Sequence, residues 1–238
     1  MIKHTDNPAG RLFLILKKAK KIDKQTKMKN AWAEILGVES KDSAELLRKI
    51  GKVNQLPFDI KKGVKSIDDQ DHELYLRGLG KVENALGNIN FNSSWNGFLN
   101  IIDDTTVASL EFTSNLLSRE NGEHGLSQKD IDNLLDITQK FKKELVDSDV
   151  PEPLQKFILE RLNAIESAIH DYKISGVKPI ETEIERSVGS LVMRRGIYNK
   201  DKSWSKKFFN LISKIGTIIN FANDTQTLLG SAKKLLTE

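Results

Sequence analysis

The sequence predicts an all-α fold, a compact bundle of about eight to ten antiparallel helices forming one domain. Three observations lead there. Apolar residues recur three and four positions apart almost throughout, while strand-type alternation is nearly absent. All five prolines, Pro8, Pro57, Pro151, Pro153 and Pro179, fall where a periodic stretch begins, a place where a missing N–H costs little. Cap-forming residues and glycines punctuate the same stretches.

Taken in order, Asn7 caps and Pro8 opens a helix to about residue 22, with Leu12, Ile15, Leu16 and Ala19 on one side. Thr26 is the expected cap of a helix carrying Met28, Ala31, Trp32 and Ile35 and stopped by Gly37. Asp42 and Glu45 form a capping-box pattern ahead of Leu46, Leu47, Ile50 and Val53, after which Pro57 is expected to restart the chain. One long helix is then expected from the acidic run Asp68 to Glu73 through Leu74, Leu76, Val82 and Leu86, weakened at Gly78 and Gly80. Another begins near Ser93 or Ser94 and continues through Val107, Leu110, Leu116 and Leu117. "RENGEHG" reads as a surface loop, Ser127 opens the next helix, Pro151 and Pro153 open one ending near Gly176, and Pro179 opens one through Val188, Leu191 and Val192. Possible sub-boundaries lie at 119–127 and 147–153, neither long enough for a flexible tether.

Composition narrows the function classes. The 238 residues are 38% hydrophobic and 29% charged, which suits a globular chain rather than a disordered one. There is no cysteine, so disulfides, thiolate catalysis and cysteine-ligated metals are excluded. The opening "MIKHTDNPAG" lacks an apolar run before a small-residue cleavage site, and a cytoplasmic location is expected. The net charge of +4 conceals a pattern: residues 1–65 hold 16 Lys+Arg against 7 Asp+Glu, residues 66–185 hold 11 against 23, and residues 186–238 hold 10 against 3. The simplest reading is that these segments neutralise one another within the fold.

The sequence offers little catalytic chemistry, and no cofactor or metal is expected. His4, His72, His124 and His170 stand apart from one another and from any metal-ligand spacing, and the acidic run at 68–73 together with Asp103 and Asp104 reads as helix capping. No phosphate-binding glycine loop or nucleophile elbow occurs. Arg119 and His124, separated by four residues in "RENGEH", resemble the Arg-x4-6-His signature of HEPN ribonucleases, which implies phosphate stabilisation by the arginine and proton transfer by the histidine. That family places the pair near a helix, whereas Asn121, Gly122 and Gly125 predict a loop here. Two basic stretches suit nucleic acid: residues 17–29, and residues 194–207, where Arg194 and Arg195 precede Tyr198 and Trp204.

The C-terminal segment "SKKFFNLISKIGTIINFANDTQTLLGSAKKLLTE" is its own problem. A spanning helix needs about 20 mainly apolar residues, and the longest uncharged run here is nine, Ile215 to Asn223. The polar face, Gly216, Thr217, Asn220, Asn223 and Asp224, lacks the lysines of an interfacial helix. A broad apolar stripe suits packing or docking, with Phe208, Ile212, Ile219, Leu228 and Leu235 as candidate partner-binding residues and a turn at Asn223–Thr227 leading to a short second helix. "NPAGRL", "WAEILGV", "DHELYLRGLGKVENAL", the Trp95–Leu117 stretch with "LEFTSNLLS", and "VGSLV" together resemble a group of uncharacterised bacterial all-helical proteins across residues 7–230. That resemblance implies a bacterial accessory protein of a defence or mobile-element system and carries no activity. The leading expectation is a non-enzymatic effector acting through a protein partner or a second copy of itself. An RNA-directed binder or nuclease and a triggered membrane-active effector are the alternatives.

Overall fold

The computed structural model of the protein describes residues 7–194, 196 and 199–220. Among these residues every regular element is a helix, and the one strand-like contact is an isolated bridge between Lys27 and Ser94. The fold is all-α. The chain divides into two compact units, each with its own apolar cluster: residues 7–125 with 173–176, and residues 126–172 with those from 177 to 220. The division after Gly125 falls within the loop at 119–127, while the proline-flanked turn at 147–153 lies inside the second unit. Charge is nearly balanced within each: 19 Lys+Arg against 16 Asp+Glu among the described residues of unit 1, and 14 against 14 in unit 2.

Unit 1 is organised around α1 (Pro8–Ala19), which packs against α2 (Met28–Leu36), α3 (Ser43–Lys65) and α7 (Asp104–Asn121). Eight of its twelve residues are buried, including Leu12, Phe13, Ile15 and Leu16 and also Arg11. Burial this deep obliges each polar group to find a partner. Asn7 accepts from Gly10 N at 2.9 Å as the N-cap, and its Nδ2 donates across to α7, to Ser118 Oγ at 2.9 Å and Ser114 O at 3.1 Å. Arg11, only 3% exposed, donates Nε to Ile174 O at 3.1 Å and Nη1 to Glu123 Oε2 at 2.9 Å. Gly176 closes the 173–176 segment at φ 73°, and a Cβ there would collide with both the Arg11 guanidinium and the Glu123 carboxylate. Glycine serves both needs, left-handed backbone and close approach.

Around this axis the sequence expectations hold where capping is local. Asp42, Asp71 and Asp103 cap α3, α4 (His72–Leu76) and α7 by accepting from the backbone N–H three residues on, and Gly37 ends α2 at φ 63°. Four expectations change. Pro57 does not restart the chain: it lies buried inside α3, because Leu46, Ile50, Val53, Leu56, Ile60 and Val64 keep one helical stripe buried across it. Burying those side chains at about 1.5–3 kcal/mol each outweighs the roughly 3 kcal/mol cost of an interior proline. The long helix expected from Asp68 is two, α4 and α5 (Leu79–Gly87), divided at Gly78, which sits where a Cβ would strike Ser109 of α7. The helix expected through residue 117 is also two, α6 (Asn96–Ile101) and α7, divided where Asp103 caps the second. Thr26 does not cap α2; its carbonyl accepts from Trp95 N at 2.8 Å instead.

Unit 2 closes a ring of four helices. α8 (Gln128–Val146) packs on α9 (Glu152–His170), α9 on α11 (Lys178–Met193), α11 on α12 (Lys202–Ile218), and α12 back on α8; α10 (Tyr172–Ser175), which follows α9 in the chain, belongs to unit 1 from residue 173 on. Ser127 and Asp130 form a reciprocal capping box. Leu134, Ile158, Leu162, Ile184 and Ile212 are fully buried between the helices. On the α8–α9 flank, burial pushes the Glu166 carboxyl up, but Lys142 at 2.6 Å and Gln139 at 3.0 Å donate to it and hold it below its ordinary value. α12 stops at Ile218, with Asn220 left-handed at φ 51° just beyond it.

Arg11→Met is expected to lower the stability of unit 1 by about 3 kcal/mol, since it strands the Glu123 carboxylate. Adding Glu123→Gln should then cost less than Glu123→Gln does alone. Denaturant titration followed by Trp32 and Trp95 fluorescence in a Trp204→Phe background reads both; additive losses would exclude the pair.

Candidate functional site

Arg119 and His124 are not assembled into a site. α7 runs to Asn121, so Arg119 stands on its last turn rather than in a loop, and His124 stands in the connection that follows. Both side chains are exposed, and neither makes a hydrogen bond or ion pair among the described residues. Glu123, between them, is taken by Arg11. Nothing therefore orients a proton-transfer group toward a phosphate-binding one.

In the basic stretch near 200, Arg194, Lys200, Lys202, Lys206 and Lys207 are exposed. The Arg194 guanidinium lies 5.9 Å from the Phe157 ring centroid, and Trp204 packs edge-on to Phe141 at 5.6 Å with Lys207 Nζ 4.2 Å above its ring. Trp204 is thus half-buried and held by contacts within unit 2. Arg195 and Tyr198 lie outside the described residues, as does His4. His72 Nε2 contacts Ile67 O at 2.8 Å, and among the described residues no cluster of histidines and carboxylates suits a metal ion. Asp103, accepting from Lys81, Thr106 Oγ1 and Thr106 N, is held below the usual carboxylate range by those bonds, as an N-cap in a cationic setting should be.

Of the residues expected to dock a partner, Phe208, Ile212 and Ile219 are 0% exposed, and they fill the core of unit 2. Leu228 and Leu235, with the expected second helix, lie outside the described residues. No helix among the described residues is long and apolar enough to cross a membrane.

Apolar surface does exist, in places the periodicity does not announce. Leu74, expected among the apolar positions of a long helix, is 42% exposed, and Phe112 is 49% exposed. Tyr75 of α4, next to Leu74 in the chain, stacks parallel on Phe112 of α7, with ring centroids 4.9 Å apart and planes within 5°. Tyr75 O accepts from Thr113 Oγ1 at 2.6 Å, which fixes α4 on α7 at that point. Leu47 and Phe58, both on α3, are also exposed. A shallow depression beside α2 and α3 is lined by Glu39, Lys41, Asp42, Glu45 and Lys49, charges of both signs that pair largely among themselves. The class that emerges is an all-helical protein of two compact units without an assembled catalytic constellation among its described residues. Comparison with family models, curated proteins and solved structures finds no match to this chain.

Ending the chain after Ser203 is expected to unfold unit 2, because it removes Phe208, Phe209, Leu211, Ile212, Ile215 and Ile219 from the ring. At about 1.5–3 kcal/mol each, that loss comes to about 9–18 kcal/mol, as large as the 5–15 kcal/mol by which domains are ordinarily stable. Loss of a cooperative thermal transition for unit 2 would show this; a truncated chain that keeps it would make α12 an accessory rather than a core element.

Proposed function

We propose that this protein is a non-enzymatic, helical protein-interaction protein of a bacterial accessory system, and that it docks through the apolar surface of unit 1 formed by Leu74, Tyr75 and Phe112. The observation that carries the reading is the parallel Tyr75–Phe112 stack left half open to water. Large aromatic side chains anchor protein interfaces because they bury much area while losing little rotamer freedom. A ring already held by a stack, on a backbone fixed by the hydrogen bond from Thr113 Oγ1 to Tyr75 O, loses even less on binding. The bacterial accessory setting rests on the sequence resemblance alone. Docking by the described part of the C-terminal segment finds no support, since its apolar side chains are occupied within unit 2.

The test is site-specific photo-crosslinking in the source cells. A photoreactive phenylalanine analogue at position 112 or 74 should give one discrete protein adduct, either a second copy of this chain or a different protein. The same analogue at Asn133, exposed on α8, should give none. No adduct at 112, or the same pattern at 112 and 133, would overturn the reading.

A further inference from the structure

A second surface of unit 1 has a different chemistry. Between residues 17 and 33 the chain holds seven lysines and a single acidic residue, Asp23. Lys20 is satisfied by Asp104 at 2.9 Å and Ile102 O at 3.2 Å. Asp23 is spent locally, accepting from Gln25 N at 2.7 Å. Lys18, Lys21, Lys24 and Lys27 are exposed and have no ion-pair partner among the described residues.

These lysines stand on a fixed scaffold. The connection between α1 and α2 is bound along its length to residues 93–96: Asn96 N donates to Lys24 O at 3.0 Å, Trp95 N to Thr26 O at 2.8 Å, and Met28 N to Ser93 O at 2.9 Å. Trp95 itself is fully buried. Its Nε1 donates to Ala19 O, the end of α1, at 3.0 Å, while its ring stacks on Phe98 at 4.5 Å and takes the edge of Trp32 at 5.5 Å. The segment laid against the lysines, residues 84–102, contains no charged residue and supplies exposed Asn92, Asn100 and Ser94. Positive charge is therefore concentrated, held in place and left uncompensated by its nearest structural neighbour.

We infer that this surface binds the sugar–phosphate backbone of a nucleic acid duplex without reading its sequence. A duplex carries about one negative charge per 1.7 Å of axis, dense enough to meet several lysines of one rigid loop. Amide and hydroxyl groups beside them suit phosphate and sugar oxygens. Single-strand binding asks for aromatic faces on which bases stack; here Trp95 is sealed in the core and Phe91 is packed against it. An anionic membrane asks for apolar side chains to insert; the apolar residues here, Ile22 of the connection and Met28 at the start of α2, are buried.

The experiment is fluorescence anisotropy of a labelled 20-base-pair duplex with the full chain, in KCl from 50 to 200 mM. With about four phosphates neutralised, Kd should rise about 150-fold over that range. Lys21→Gln/Lys24→Gln/Lys27→Gln should weaken binding at least tenfold at 50 mM and reduce the logarithmic salt slope by nearly three. Lys129→Gln/Lys143→Gln/Lys156→Gln, an equal change of charge on exposed positions of unit 2, should leave Kd within about twofold. Both triple variants should keep the parent thermal transition, so lost binding is not lost folding. The inference is overturned if the duplex does not bind at 50 mM KCl, if the two variants weaken it equally, or if polyglutamate or phosphatidylserine vesicles bind as tightly at equal charge.

Discussion

Burying a helix on nearly all sides leaves its polar groups nowhere to go but into other parts of the chain, and α1 shows what that constraint builds. Its N-cap must be satisfied away from water, so Asn7 reaches the hydroxyl and carbonyl groups of α7. Its one buried cation must be neutralised, so Arg11 draws in Glu123 and the Ile174 carbonyl. Its last turn is closed by a buried indole rather than by solvent. Each solution joins α1 to a segment far away in the chain, and together they fix the helices and connections of unit 1.

Surfaces follow from the same requirement. The lysine-bearing connection is held because Trp95 must reach Ala19 while sitting among Trp32 and Phe98. The Tyr75–Phe112 stack sits where α4 meets α7, just before Gly78 lets the chain pass close to Ser109 of α7. Glu123, next to His124, is committed to Arg11 and acts as a structural anchor. In unit 2 the ring closes only through α12, so the apolar segment that reads as a docking stripe is consumed where it is described.

What the residues reveal by themselves is local. The caps at Asn7, Asp42, Asp103 and Ser127 are legible because side chain and backbone partner lie three residues apart. Gly37 is legible for the same reason. Pro57 is not, because whether a proline ends a helix or is carried through it depends on what the flanking stripe packs against. Arg11 reads as a surface cation, since its partners are 112 and 163 residues away. The lysines of 17–29 are plain as charge, but their rigidity comes from a neutral segment some 70 residues on. Leu74 and Phe112 fit a helical period without disclosing that their face is left open. The C-terminal stripe is legible as apolar, and only the closed ring decides between core and interface for Phe208, Ile212 and Ile219.

The central claim is that α1 is the buried axis of unit 1 and α7 its principal partner. Native-state hydrogen exchange read by mass spectrometry addresses it directly, because amides that open only with the whole unit exchange slowest. The account predicts that the amides of α1 and of the middle of α7 share the slowest rates in unit 1 and exchange together as denaturant is added, while those of α4 exchange much sooner. Exchange in α1 as fast as in α4 would contradict it.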